Sequence, residues 1–228
     1  MEKVRGIDRL PIFPLPLVLM PNELLPLHIF EDRYQQMLRN VGHTGNMFGI
    51  TIFEPLESFI EKPEVGSIGC VAEIRENQTM ADGRSNILTL GTVRYKLLGY
   101  VDAGEPYLVG DVDFFEDDPA EPGEIETLAD DVFGIFERIA KAAFKMSGSR
   151  GHFPEIQRAD PEQFSFLAAA AFNFENDLKY RFLEMTSTME RLEKLQEILL
   201  KTVVQLEESA DIHKVARTNG HSKKNLDL

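Results

Sequence analysis

Residues 10–30, LPIFPLPLVLMPNELLPLHIF, are uncharged apart from Glu23, yet they carry five prolines, Pro11, Pro14, Pro16, Pro21 and Pro26. No other feature limits the fold as much. A membrane-spanning helix needs roughly 20 uninterrupted apolar residues, and each proline removes an amide donor and breaks the helical ladder. A secretory signal needs a basic start and a small-residue cleavage site. Here MEKVRGIDR mixes acids with bases, and no such site follows. Prolines do permit extended backbone, because they push the residue before them toward β or polyproline geometry. Leu10–Phe13 and Leu24–Phe30 are therefore predicted strands joined by the turn MPNE. The first is expected at an edge or crossing position, where sheets tolerate proline.

The next segment, EDRYQQMLRN, spaces Tyr34, Met37 and Leu38 for a short helix, with Glu31 and Asp32 suited to its N-terminus. Residues 47–53, 66–75, 85–91, 94–101 and 107–115 are short and rich in Ile, Val, Phe and Tyr, which predicts strands; Asp82-Gly83 marks a hairpin turn. Such a run suggests a compact barrel-like sheet rather than alternating βαβ units. Residues 111–131 then hold ten acids and no base, and the middle of this run is expected to be a solvated linker. Beyond it the period becomes helical. Ile125, Leu128, Val132, Phe136, Ile139, Ala143 and Met146 form one stripe. Asp160, Pro161 and Gln163 give an N-cap, first-position proline and capping box for a second helix. A third is predicted over 177–185. A fourth over 188–208 carries Leu192, Leu195, Leu199, Val203 and Leu206 at heptad-like spacing. The predicted class is α+β: a β-rich subdomain over 8–116, a helical bundle over 124–208 and a frayed tail over 209–228.

Several chemistries are excluded. The net charge of −14 disfavours nucleic acid and anionic membranes as partners, because phosphate contact needs a positive footprint. The single cysteine, Cys70, allows no internal disulfide or CxxC knuckle and reads as a small buried hydrophobe, in keeping with a reducing cytoplasm. There is no phosphate-cradling GxxxxGK[ST], no HExxH and no GxSxG elbow. His28 is expected to be a hydrogen-bonded structural residue, and the acids from Asp111 to Asp118 lack calcium-loop spacing. No catalytic residue, cofactor or metal is implied. Contact with a partner is suggested instead by Leu56, Phe59 and Ile60 among the charges of EPLESFIEKPE, and by Met80 near the hairpin tip. Each also has a bland reading, as a cover for the barrel end.

The opening LPIFPLPLVLMPNELLPLHIFEDRYQQML resembles the start of the Lon protease substrate-binding domain, in its Leu-Pro-x-Phe-Pro-Leu and Leu-Pro-Leu-x-Ile-Phe-Glu-x-Arg-Tyr motifs. VGSIGCVAEI (65–74), GTVRYKLLGY (91–100) and RFLEMTSTMERLEKL (181–195) are similar to later segments of that family. The resemblance spans roughly residues 8–208. It implies a PUA-like β pseudo-barrel with one short helix, followed by a C-terminal helical bundle. It also implies a non-catalytic role in binding unfolded or hydrophobic polypeptide segments, as a stand-alone module and adaptor for proteolysis beside a protease or chaperone. The ATP-binding loop and serine–lysine site of full-length Lon proteases are absent from these 228 residues. Alternatives are a small-molecule or RNA-binding barrel and a scaffold that self-associates through 188–208; the oligomeric state is left open.

Overall fold

The computed structural model describes residues 2–43, 45–54, 62–119, 122–147 and 152–219. Two compact units emerge, Met1–Ala120 with Asp160–Thr188, and Glu121–Ala159 with Met189–Leu228. This division differs from a helical subdomain running unbroken over 124–208, since the two middle helices belong with the sheet.

The first unit is built on six strands: β1 (Arg9–Leu15), β2 (Leu24–Ile29), β3 (Met47–Ile52), β4 (Ile68–Thr79), β5 (Ser85–Val101) and β6 (Leu108–Phe115). Their order is β2-β5-β4-β3-β1-β6, and β6 also pairs with β5. Five strands thus close a ring, while β2 hangs outside it on β5. The first proline strand crosses between neighbours. Arg9–Ile12 pairs antiparallel with β6, and Ile12–Leu15 pairs parallel with β3. The edge position falls to β2, which among the described residues pairs with β5 alone. Residues 85–101, expected as two strands, form one. Its first half pairs with β2 and β4 and its second with β4 and β6, and register shifts at Cys70/Ala72, Ile74/Glu76 and Leu97/Gly99 accommodate the bend.

Leu10, Ile12, Val71, Tyr95, Leu97 and Val112 fill the ring. Tyr95 fits there because two strands offer glycine to its ring: a Cβ on Gly49 would lie 2.5 Å from Tyr95 Oη, and one on Gly69 would overlap the same ring. Its hydroxyl meets Thr51 Oγ1 at 2.6 Å, which satisfies two buried polar atoms at once. The predicted short helix, α1 (Asp32–Val41), buries Tyr34, Met37, Leu38 and Val41. Tyr34 stacks on Phe13 at 4.1 Å between centroids.

Helices α3 (Pro161–Ala171) and α4 (Asn176–Glu184) complete the first unit. Asp160 accepts from the amide of Gln163 at 3.1 Å with proline next to it, as the capping pattern predicts. Tyr180 Oη accepts the Ile68 amide of β4 at 2.9 Å, and Asn176 Nδ2 donates to the Pro16 carbonyl at 3.1 Å. These bonds hold α4 on the strands.

The second unit contains α2 (Pro122–Met146) and α5 (Thr188–Asn219), whose first residue still belongs to the first unit. On α2 the buried face is Ile125, Ala129, Val132, Ile135 and Ile139; Ala143 and Met146 of the expected stripe are exposed. On α5, Leu192, Leu195, Leu199 and Val203 are buried as predicted. The helix continues past 208 to Asn219, because no proline or glycine interrupts it before Gly220. Arg158 donates to Glu126 at 2.6 Å and to Asp130 at 2.8 Å within this unit.

Candidate functional site

Leu56, Phe59 and Ile60 lie outside the described residues. Met80 is half-buried at the β4–β5 turn, where its amide donates to the Arg84 carbonyl at 2.7 Å and its carbonyl accepts from Gly83 at 3.0 Å. Gly83, with φ +87°, closes that turn beside Gln35, whose amide donates to the Phe30 carbonyl at 2.9 Å. The tip carrying Met80 therefore lies by the C-terminal end of β2.

That strand and the residue after it carry two large exposed apolar side chains, Leu24 and Phe30. Alternation sends Leu24, Pro26, His28 and then Phe30 to one face, and all four are exposed, Leu24 at 58% and Phe30 at 62%. Opposite them on β5 stand Leu90, Leu88 and Asn86, while Ile87 and Thr89 between them are buried. One strand further, Glu73 and Glu76 face Leu90 and Leu88. The outer face thus carries a partly exposed apolar band two strands wide, bordered by Glu76 and by Glu73, which pairs with Lys3 and Arg75. His28 Nδ1 meets Asn86 Oδ1 at 2.7 Å, and its ring stacks near Phe30 at 6.2 Å, so it is hydrogen-bonded as expected but on the surface.

The loop before β2 fixes this strand. Asn22 takes φ 67° and donates its amide to the Gly91 carbonyl, and Gly91 returns a bond to the Glu23 carbonyl at 2.9 Å. Gly91 must be glycine, since a Cβ there would collide with the Met20 carbonyl. Glu23 accepts from the Met20 amide at 2.8 Å, and burial raises its carboxyl above the usual range.

The other chemically capable groups are engaged in structure. Cys70 is fully buried, and desolvation pushes its thiol up to about 12, so it cannot act as a thiolate at neutral pH. Arg94 and Asp117, 2% and 4% exposed, pair at 2.5 Å. This corrects, at Asp117, the expectation of a solvated linker in the acidic run: Asp117 sits inside and also accepts from Thr188 Oγ1. Arg94 Nη1 donates to the carbonyls of Leu183 and Met185, and its guanidinium lies 4.5 Å from the Phe115 ring and 5.1 Å from that of Phe166. A hollow of about 250 Å³ beside it is lined by Asn22, Thr92, Glu116 and Glu162, among others. Among the described residues no group of three or more His, Cys, Asp or Glu is placed to hold a metal ion, and no helix is long and apolar enough to cross a membrane.

Leu24 and Phe30 thus face solvent beside the outer face of the sheet, while the Cys70 thiol, Tyr95 phenol and Arg94 guanidinium are buried. The chain matches the family described as the ATP-dependent protease La (LON) substrate-binding domain over residues 9–201, and it belongs to that family. It is 27% identical over 199 residues to a Lon protease of Brevibacillus choshinensis, covering 85% of this chain and 25% of that protein. A Lon protease of Endomicrobium trichonymphae is 24% identical over 200 residues, with coverage of 84% and 24%. The chain thus spans about a quarter of the length of these curated relatives. Among solved structures, a Lon N-terminal domain protein from Xanthomonas campestris superposes with a TM-score of 0.58 at 23% identity, covering 83% of this chain and 97% of that one. The N-terminal domain of a Mycobacterium avium complex Lon protease gives 0.60 at 16% identity, covering 84% and 97%. The fold is therefore that of a Lon N-terminal domain, a mixed sheet with several helices.

The candidates named from the sequence include neither Leu24 nor Phe30, although both are exposed. The signal was present, because Pro26 marks an edge and Leu24, Pro26, His28 and Phe30 recur with period two.

Proposed function

We propose that this chain is a non-catalytic recognition module that binds unfolded or hydrophobic polypeptide segments and presents them for proteolysis as an adaptor. The observation that carries this reading is the band of exposed Leu24, Pro26 and Phe30 with half-buried Leu88 and Leu90, on a domain of the substrate-binding family. Leu56, Phe59, Ile60 and Met80 extend the contact surface in this reading; the position of the Met80 turn beside the end of β2 supports its part. The closed pairing of β5 with β6 supports a PUA-like pseudo-barrel, and α2 and α5, grouped in the second unit, are the helices left to a C-terminal bundle in this reading. A single, buried, unreactive cysteine suits a cytoplasmic setting.

The test is retention of a panel of chemically unfolded proteins on the immobilised chain. Wild type retains them; Leu24→Asp with Phe30→Asp lowers retention at least tenfold, and Leu56→Asp with Phe59→Asp lowers it further. Equal retention by all three proteins, or none by wild type, sinks the reading.

A further inference from the structure

We propose that the free edge of β2 captures a client by β-strand addition: an extended segment with alternating apolar residues and basic flanks pairs its backbone with Leu24, Pro26 and His28. This rests on the recognition reading above and specifies its mode. The direction of the backbone groups follows from the ladder. Gly91 donates to the Glu23 carbonyl and Thr89 Oγ1 to the Leu25 carbonyl, both at 2.9 Å. The Glu23 carbonyl and the polar groups of residues 25, 27 and 29 therefore turn toward β5, while the Glu23 amide donates to the Met20 carbonyl and residues 24, 26 and 28 turn their groups away. Among the described residues no strand lies on that side and no hydrogen bond reaches those outward groups.

What the edge offers is specific. Leu24 and His28 each present an N–H and a carbonyl, whereas Pro26 presents a carbonyl alone. An apolar globular face laid here would strand these groups without water, which is costly. An extended chain satisfies them, and its outward side chains continue the band across Leu24 and Phe30. A second copy fits less well. Two β2 strands paired about a twofold at Pro26 would lose both central bonds, because neither proline can donate, and each copy carries a net charge of −14. The same charge favours a client whose apolar run is flanked by lysine or arginine.

The experiment uses the whole chain and a lysine-flanked peptide of alternating valine and threonine, with two derivatives N-methylated at alternate residues in opposite registers. Binding is followed by fluorescence anisotropy, and amide exchange at Leu24 and His28 by NMR. The peptide is expected to slow exchange at both amides at least tenfold. One methylated register should lose at least tenfold in affinity and the other stay within about threefold. Pro26→Ala, which supplies the missing donor, should tighten binding about two- to tenfold, the equivalent of one added hydrogen bond. Equal binding of both registers, with Leu24 and His28 unprotected, overturns strand addition. If unfolded proteins are still retained in that case, the recognition reading survives alone; if neither peptide nor protein is retained, both fall. Protection of the two amides without peptide, rising with protein concentration, would assign the edge to self-pairing and likewise overturn the proposal.

Discussion

Replacing Arg94 with methionine keeps most of the side-chain volume and removes the charge. The guanidinium is 2% exposed, pairs with a carboxylate that is 4% exposed, and donates to two carbonyls at the end of α4. Removing one member of a buried pair strands the other, which costs about 3–5 kcal/mol. With a urea slope of about 2 kcal/mol/M, the midpoint should fall by about 1.5–2.5 M. The chain has no tryptophan, and its five tyrosines, at 34, 95, 100, 107 and 180, all lie in the first unit. Tyrosine fluorescence and near-ultraviolet circular dichroism therefore report the unit that contains the pair. The double variant Arg94→Met with Asp117→Leu removes both charges and should recover at least about 2 kcal/mol relative to the sum of the single losses. A midpoint shift below about 0.5 M for Arg94→Met, or strict additivity in the double variant, would refute the account of this pair as a buried tie.

Three further outcomes follow from the same packing. Burial raises the Cys70 thiol to about 12, so its contribution is full below the unfolded value of about 8.5 and is lost as pH climbs toward the folded one; urea titrations from pH 8 to 11 should show wild type losing stability more steeply than Cys70→Ala, by up to about 1.4 kcal/mol per pH unit, and parallel curves would contradict this. Gly69→Ala drives a methyl into the Tyr95 ring and the Ile50 carbonyl; thermal unfolding should show a loss of at least about 1–3 kcal/mol, since neither neighbour is a flexible chain end. Asp160→Ala removes the α3 cap and should cost about 1 kcal/mol by urea titration, while Asp160→Asn should keep most of it.

Local patterns were legible wherever a residue answers to its neighbours in sequence. The α1 spacing, the Asp160 cap and the leucine stripe of α5 all appear where the periodicity puts them. Long-range pairing was not legible. Asp117 looks like one more solvated acid until the fold brings Arg94, 23 positions away, to meet it. Helices α3 and α4 read as part of one helical run, yet single bonds from Tyr180 to Ile68 of β4 and from Asn176 to Pro16, just past β1, bind α4 to residues more than 100 positions away. Gly91 was expected to end the first of two strands. It serves a different need: the Met20 carbonyl occupies the place a side chain would fill, so the strand runs on through it.

The prolines of the opening stretch illustrate how one residue type can serve opposite ends. In β1 they fall in a strand that changes neighbours midway, pairing with β6 and then β3. In β2, Pro26 falls on the outward side of an edge strand, where its missing donor costs the ladder nothing. An exposed edge with Leu24 and Phe30 beside it is the kind of surface that invites aggregation. Pro26 thins its hydrogen-bonding pattern, and a net charge of −14 keeps copies apart. Both devices act most strongly against a second copy and least against a basic, extended client. On this argument Pro26→Ala should strengthen client capture and self-association together, and the ratio of the two gains measures how much of the edge's selectivity the proline supplies.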